Sequence, residues 1–144
     1  MLTIDQACPE DIVYITKVSQ SVFSREFSAA PDGYDNPEWY FAAADIGYLY
    51  KIMFNGDLVG AFVAFRTGQL NFQLERIFLL PEYQNLGIGK KALDYALKRF
   101  PEAKVWYTDV KPAWGKYSMF LTGCGFFESG FVTNDSTRYI KLLK

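Results

Sequence analysis

Gln84-Asn85-Leu86-Gly87-Ile88-Gly89 separates two runs of opposite character. Before it, Arg76-Ile77-Phe78-Leu79-Leu80 is apolar and strand-like; after it, Lys90-Lys91-Ala92-Leu93-Asp94-Tyr95-Ala96-Leu97-Lys98-Arg99 is rich in helix formers. Two glycines at a strand-to-helix junction let the backbone turn sharply and leave its N–H groups uncovered. The first four N–H groups of a helix have no internal acceptor, and that helix end carries partial positive charge. The stretch reads as an anion site, and a pyrophosphate-bearing ligand is the expectation.

Working outward, Leu2 to Gln6 alternates like a short strand. Pro9-Glu10-Asp11 places proline and acids at a helix start, with Ile12, Ile15, Val18 and Ser19 on one face up to about Gln20. Ser24 to Asn36 is rich in Ser, Ala, Pro, Asp and Gly and is expected to loop around the pocket. Pro37-Glu38-Trp39-Tyr40 opens a second helix to about Ala44. Three strands follow, Ile46 to Phe54, Leu58 to Arg66 and Leu70 to Leu80, and Asn55-Gly56 signals a tight hairpin between the first two. After the long helix, which Pro101 stops, Lys104 to Val110 reads as a strand and Trp114 to Cys124 as an amphipathic helix capped by Gly125. Phe126 to Phe131 and Thr137 to Leu142 close the chain as paired strands. The order β-α-α-β-β-β-α-β-α-β-β describes one domain over residues 1–144, an α/β or α+β sheet carrying helices.

Composition narrows the chemistry. A chain of 144 residues, 50% hydrophobic and 18% aromatic, can build a core and still line a pocket; at that size folding buries on the order of 70% of the unfolded surface. Fifteen basic and sixteen acidic side chains argue against nucleic acid or an anionic membrane as the main partner. Cys8 and Cys124 make neither a disulfide framework nor a metal site, and there is no histidine. Any general base is therefore a carboxylate, an amine, a phenol or water. Asp5, Pro9, Glu10 and Asp11 interrupt the first twenty residues, so no signal peptide is read, and no apolar run approaches a membrane span. A soluble cytoplasmic domain is the expectation.

The glycine turn resembles the acetyl-CoA signature of the GNAT-type N-acetyltransferase superfamily: Gln or Arg, two residues, Gly, one residue, then Gly or Ala. Gln84, Gly87 and Gly89 match it, and Leu74 through Tyr83 is similar to the strand and turn that precede it. Phe120-Leu121-Thr122-Gly123-Cys124-Gly125-Phe126 is similar to the family's late helix ending in Gly-Phe. The resemblance covers essentially the whole chain. It implies a sheet splayed beside the fourth strand, with acetyl-CoA as co-substrate, no metal, and the pantetheine arm in the cleft. Backbone groups of Ile77, Phe78 and Leu79 would bond the pantetheine. Amides of Asn85, Leu86, Gly87, Ile88, Gly89 and Lys90 would hold the pyrophosphate, with Gln84 closing the turn and Gly89 small so that phosphate can approach. The partners implied are acetyl-CoA and a small amine or peptide acceptor, and family members are often homodimers.

Amine acetylation needs a deprotonated amine, a polarised thioester and a proton for the departing thiolate. Glu75, at a position that often faces the acceptor in the family, is the candidate base; burial beside aromatics would tune its basicity. The competing reading pairs it with Arg76, Arg66 or a lysine. The family's proton-donating tyrosine aligns with Leu121, which cannot donate, and the Asn that commonly starts this helix aligns with Gly115. Tyr117, one turn earlier, is the candidate donor. The alternative, preferred on sequence grounds, lets the thiolate leave unaided, since a free thiol ionises near pH ~8.5. Asp109 could recognise an acceptor ammonium or serve structurally near Trp114. Tyr34, Trp39 and Tyr40 could hold a cation or flat acceptor, or simply pack the first two helices on the sheet. Lys90 and Lys91 could meet phosphates or form a solvated helix face. Cys124 reads as a small core residue, and Asp94 with Lys98 as a surface ion pair.

Two other functions remain open at this level. The chain could be a catalytically weak or inactive acyl-CoA-binding sensor, as Leu121 and Gly115 suggest. It could also hold a nucleotide, although no lysine followed by Ser or Thr comes after Gly89 as in a triphosphate loop.

Overall fold

The structure, a computed structural model, describes residues 1–24, 30–133 and 135–143, with the backbone alone at 131–133. Part of the expected Ser24–Asn36 loop, residues 25–29, lies outside the described residues. The elements are β1 (Leu2–Gln6), α1 (Ile12–Phe23), α2 (Pro37–Ile46), β2 (Tyr48–Phe54), β3 (Asp57–Arg66), β4 (Asn71–Leu79), α3 (Ile88–Leu97), β5 (Val105–Val110), α4 (Gly115–Gly123), β6 (Phe127–Thr133) and β7 (Ser136–Leu142). Their order is the one the sequence predicts. Boundaries shift where local chemistry decides. Pro9–Asp11 forms a 3-10 turn before α1, its Asp11 carboxylate accepting the Cys8 N–H at 2.8 Å. Helix α2 continues to Ile46 rather than Ala44, after Asn36 caps its start by accepting the Glu38 N–H. Asn55 and Gly56 both take positive φ, 51° and 89°, as a two-residue hairpin turn requires.

The strands form one seven-stranded sheet in the order β1-β2-β3-β4-β5-β7-β6. Every pairing is antiparallel except β4 with β5, which α3 connects as a crossover. One core lies between the sheet and α3 with α4: Phe62, Ala64, Leu74, Ile77, Leu79 and Trp106 meet Ala92, Leu93, Ala96 and Leu121. A second lies under α1 and α2, where Ala61, Val63 and Phe78 meet Ile12, Ile15, Tyr40 and Ala43. Helix α4 is less amphipathic than its sequence suggests, since Leu121 is its one buried residue and Tyr117 and Phe120 are half-buried. No helix among the described residues is long and apolar enough to cross a membrane.

Two irregularities in β4 make the site. Its parallel pairing with β5 is confined to Asn71, Phe72 and Gln73 against Val105, Trp106 and Tyr107, and beyond these residues the ladder stops. On its other edge Val63 faces Arg76 and Ala64 faces Leu74, so Glu75 is the extra residue of a β-bulge. A regular strand sends successive side chains to opposite faces. The bulge breaks that alternation: Leu74 and Ile77 join the α3 side, while Glu75 and Arg76 both turn to the α1/α2 side and bond each other.

Candidate functional site

The turn after β4 is built as an amide cradle. Gln84 donates from Nε2 to the Leu79 carbonyl at 2.9 Å, tying the turn back to the strand end. Asn85 and Gly87 then take left-handed φ values of 61° and 79°, and Gly87 caps α3. A Cβ at Gly87 would meet nothing within 4 Å, so the glycine is there for its φ. Gly89 is different: a Cβ there would come within 3.1 Å of the Phe120 ring and 3.5 Å of Leu79, so a side chain there would press on the α3–α4 packing. The first backbone bond into the helix is Lys91 N–H to Gly87 O. Among the described residues, the N–H groups of Asn85 through Lys90 have no protein acceptor. Such an array with a helix N-terminus behind it fits a pyrophosphate.

The gap between β4 and β5 leads from this cradle toward Glu75. Leu80 N–H donates to Val59 O at 2.8 Å. Alternation along an antiparallel ladder therefore turns the backbone of Phe78 onto β3 and that of Ile77 and Leu79 toward the gap. Ile77 and Leu79 fit the expected role; Phe78 does not, because β3 occupies its peptide groups and its side chain packs in the α1/α2 core.

On the α1/α2 side of the sheet lies a cleft of roughly 260 Å³, whose walls include Asp32, Trp39, Glu75, Arg76, Asp109, Lys111 and Trp114. Glu75 is a quarter exposed and accepts two hydrogen bonds from Arg76, at 2.9 and 3.2 Å, both on Oε1. The Arg76 reading of its partner is thus realised, and Oε2 remains to take a proton. Trp39 does carry a cation, but that cation is the Arg76 guanidinium, 3.8 Å from the ring. Asp109 lines the cleft with its carboxylate held by the Arg138 fork at 2.9 and 3.2 Å; this bond raises the Arg138 pKa further. Tyr34 is half-buried in the turn before α2 and is not among the cleft-lining residues.

Across the sheet, Tyr117 of α4 packs between Trp114 and Phe120. Its hydroxyl is buried and has no hydrogen-bond partner among the described residues. Burial raises its pKa well above the ordinary phenol value; Thr108 of β5 favours the ionised form, without meeting hydrogen-bond geometry, and the negative charge of Glu75 opposes ionisation. Thr108 follows directly after the last β5 residue paired to β4, so Tyr117 is drawn to where the gap opens. Leu121 fills the core with no exposure. Burial also raises the Cys124 thiol, with Lys141 and Lys90 opposing, which suits a packing residue rather than a nucleophile. Asp94 and Lys98 pair at 3.1 Å on an exposed surface, and Lys90 and Lys91 are exposed.

The model of the acetyltransferase (GNAT) family matches residues 13–126. The chain belongs to this family. Among solved structures this GNAT acetyltransferase is similar to a PaiA N-acetyltransferase from Thermoplasma acidophilum in complex with coenzyme A, with 17% identity, 99% of each chain covered and a TM-score of 0.85. It is also similar to a GNAT-family acetyltransferase from Staphylococcus aureus Mu50, at 20% identity over 100% of each chain and a TM-score of 0.82. A third, a GNAT acetyltransferase from Elizabethkingia anophelis with acetyl-CoA bound, has 17% identity, 99% and 98% coverage and a TM-score of 0.69. No curated protein matches the chain. At these identities the likeness establishes the fold of the acetyltransferase, and its site rests on its own residues. Sequence reasoning missed Lys111 and Trp114 as cleft walls and the central place of Arg76. The one available signal was that Arg76 breaks the alternation of Asn71-Phe72-Gln73-Leu74-Glu75 and stands where an apolar residue is due.

Proposed function

We propose that this acetyltransferase moves the acetyl group of acetyl-CoA to a primary amine of a small molecule or peptide. The observation that carries the reading is the β5-facing edge of β4, left without a ladder from the bulged Glu75 to the strand end that leads into the amide cradle at 85–90. In this reading the cradle and the helix end of α3 hold the pyrophosphate, and the gap-facing backbone of Ile77 and Leu79 receives the pantetheine arm. Coenzyme A bound in the Thermoplasma protein and acetyl-CoA bound in the Elizabethkingia protein support coenzyme A as the ligand class.

The acceptor enters from the opposite face, where Asp32 and Glu75 attract an ammonium and Trp114 supplies an apolar wall. Glu75 takes the ammonium proton directly or through water, and the freed amine forms its N–C bond to the thioester carbon. Backbone N–H groups turned into the gap donate to the carbonyl oxygen as charge builds there. The C–S bond then breaks, the nitrogen gives up its second proton to water as the amide forms, and the departing sulfur needs a proton. What supports Tyr117 as donor over unaided departure is its buried, unpartnered hydroxyl at the mouth of the gap. Thermal unfolding with acetyl-CoA, CoA and ATP added separately tests the reading. A ligand at a hundred times its Kd stabilises the fold by about 2.7 kcal/mol. A rise with both CoA species and none with ATP is expected; no rise with millimolar acetyl-CoA would overturn it.

A further inference from the structure

We infer that Arg76 is a positioning residue that locks Glu75 to the wall of the acceptor cleft, making base and wall one rigid unit; this rests on the acetyl-transfer reading. Arg76 is 5% exposed on its side chain, and each of its nitrogens has work. Nε and Nη2 bond Glu75 Oε1, Nη2 also bonds the Asp32 carbonyl at 2.8 Å, and Nη1 reaches the Tyr40 hydroxyl at 3.3 Å. Tyr40 shares a 2.6 Å hydrogen bond with Ser19 of α1. The guanidinium plane lies over the Trp39 indole, whose other contacts include Gly33, where a Cβ would strike the ring at 2.1 Å. One side chain therefore joins β4, α2 and the Asp32 turn, and reaches α1 through Tyr40.

Stability alone is a poor explanation for this arrangement. A buried ion pair loses much of its attraction to desolvation, and the bulge that brings Glu75 and Arg76 to one face interrupts the β3–β4 ladder. What the pair achieves is geometric. Glu75 Oε1 is held by two donors on one edge of the guanidinium, its rotamer is restricted, and the cleft wall formed by Asp32 and Trp39 moves only with it. Lysine cannot reproduce this, because an ammonium lacks the flat face for Trp39 and the fork that spans these acceptors.

The test uses the full chain as wild type, Arg76→Met, Arg76→Lys, Glu75→Gln and the Arg76→Met/Glu75→Gln double variant. Arg76 lies on the sheet face opposite α3, so acetyl-CoA should raise the melting temperature of every folded variant as it does the wild type. Backbone amides of residues 32–40 should exchange hydrogen at least tenfold faster in Arg76→Met, and less so in Arg76→Lys. With an amine the wild type acetylates, Arg76→Met should lower kcat at least tenfold and raise KM, with Arg76→Lys in between. In the Glu75→Gln background the same change should cost kcat less than threefold, because Arg76 acts through Glu75. Equal kcat losses in both backgrounds, or unchanged exchange at 32–40 in both Arg76 variants, would overturn the inference. If Arg76→Met does not fold, Arg76→Lys alone decides by the same two readouts. A wild type that binds acetyl-CoA but acetylates no amine defeats the acetyl-transfer reading, while the exchange measurement still judges the clamp.

Discussion

Gly87 and Gly89 belong to one motif but are glycine for different reasons, and alanine at each separates them. At Gly87 a Cβ meets no atom within 4 Å, so Gly87→Ala acts only through its φ of 79°. Holding an L-residue there costs roughly 1–2 kcal/mol, and the stiffer unfolded chain returns about 0.4–1 kcal/mol. The net loss is about 1 kcal/mol, or roughly 3 °C of melting temperature for a domain this size. Where the empty turn relaxes instead, the same strain reappears on binding, as about a fivefold weaker acetyl-CoA affinity, since 1.4 kcal/mol is tenfold. At Gly89 the alanine gains up to about 1 kcal/mol of helix propensity. That gain is offset by the 3.1 Å approach to Phe120, which leaves Gly89→Ala near neutral in stability. Thermal unfolding of both variants across an acetyl-CoA titration reads stability and affinity together. Gly87→Ala with unchanged melting temperature and unchanged affinity would refute the assignment of the cradle to that left-handed turn.

Other expectations follow from single side chains. Tyr117→Phe removes a hydroxyl with no partner, so stability should hold or rise by up to about 1 kcal/mol, while kcat for CoA release should fall about tenfold to a hundredfold if that hydroxyl protonates the thiolate; unchanged kcat would return the mechanism to unaided departure. Burial raises the phenols of Tyr117 and Tyr40, the latter against the pull of Arg76 and Ser19. Below about pH 10 both states keep these protons; above it the unfolded chain releases them first, so stability should decline with rising pH in urea denaturation. Leu121 has no exposed surface, and Leu121→Ala should cost about 2–5 kcal/mol in the same assay.

Much of the fold was legible because it is written in local signals. Asn55-Gly56 signals its hairpin, Pro37 after Asn36 starts a helix, and the short apolar run before Gln84, ended by a glycine turn, reads as a buried strand. The cradle was equally plain, since glycines at a strand-to-helix junction leave amides uncovered whatever surrounds them. The acceptor side was not. A bulge at Glu75 depends on which β3 residue each β4 residue faces, and periodicity along one strand carries no pairing register. Trp39 read as a possible cation holder without any means of telling that the cation would come from Arg76. Asp109 found its partner at Arg138, on the neighbouring strand but far along the chain. Gly89 looked like a phosphate position, and its contact with Phe120 emerges only when α4 is laid on α3.

The central claim is that Glu75 deprotonates an amine acceptor in the cleft while acetyl-CoA occupies the β4–β5 gap. The measurement that tests it most directly is release of free CoA thiol together with N-acetyl product, for wild type and Glu75→Gln, across a panel of primary amines. The account predicts turnover by the wild type of at least one amine. In the variant kcat should be lower by about a hundredfold or more, with the same stabilisation by acetyl-CoA in both proteins. Equal kcat in the two proteins would contradict it.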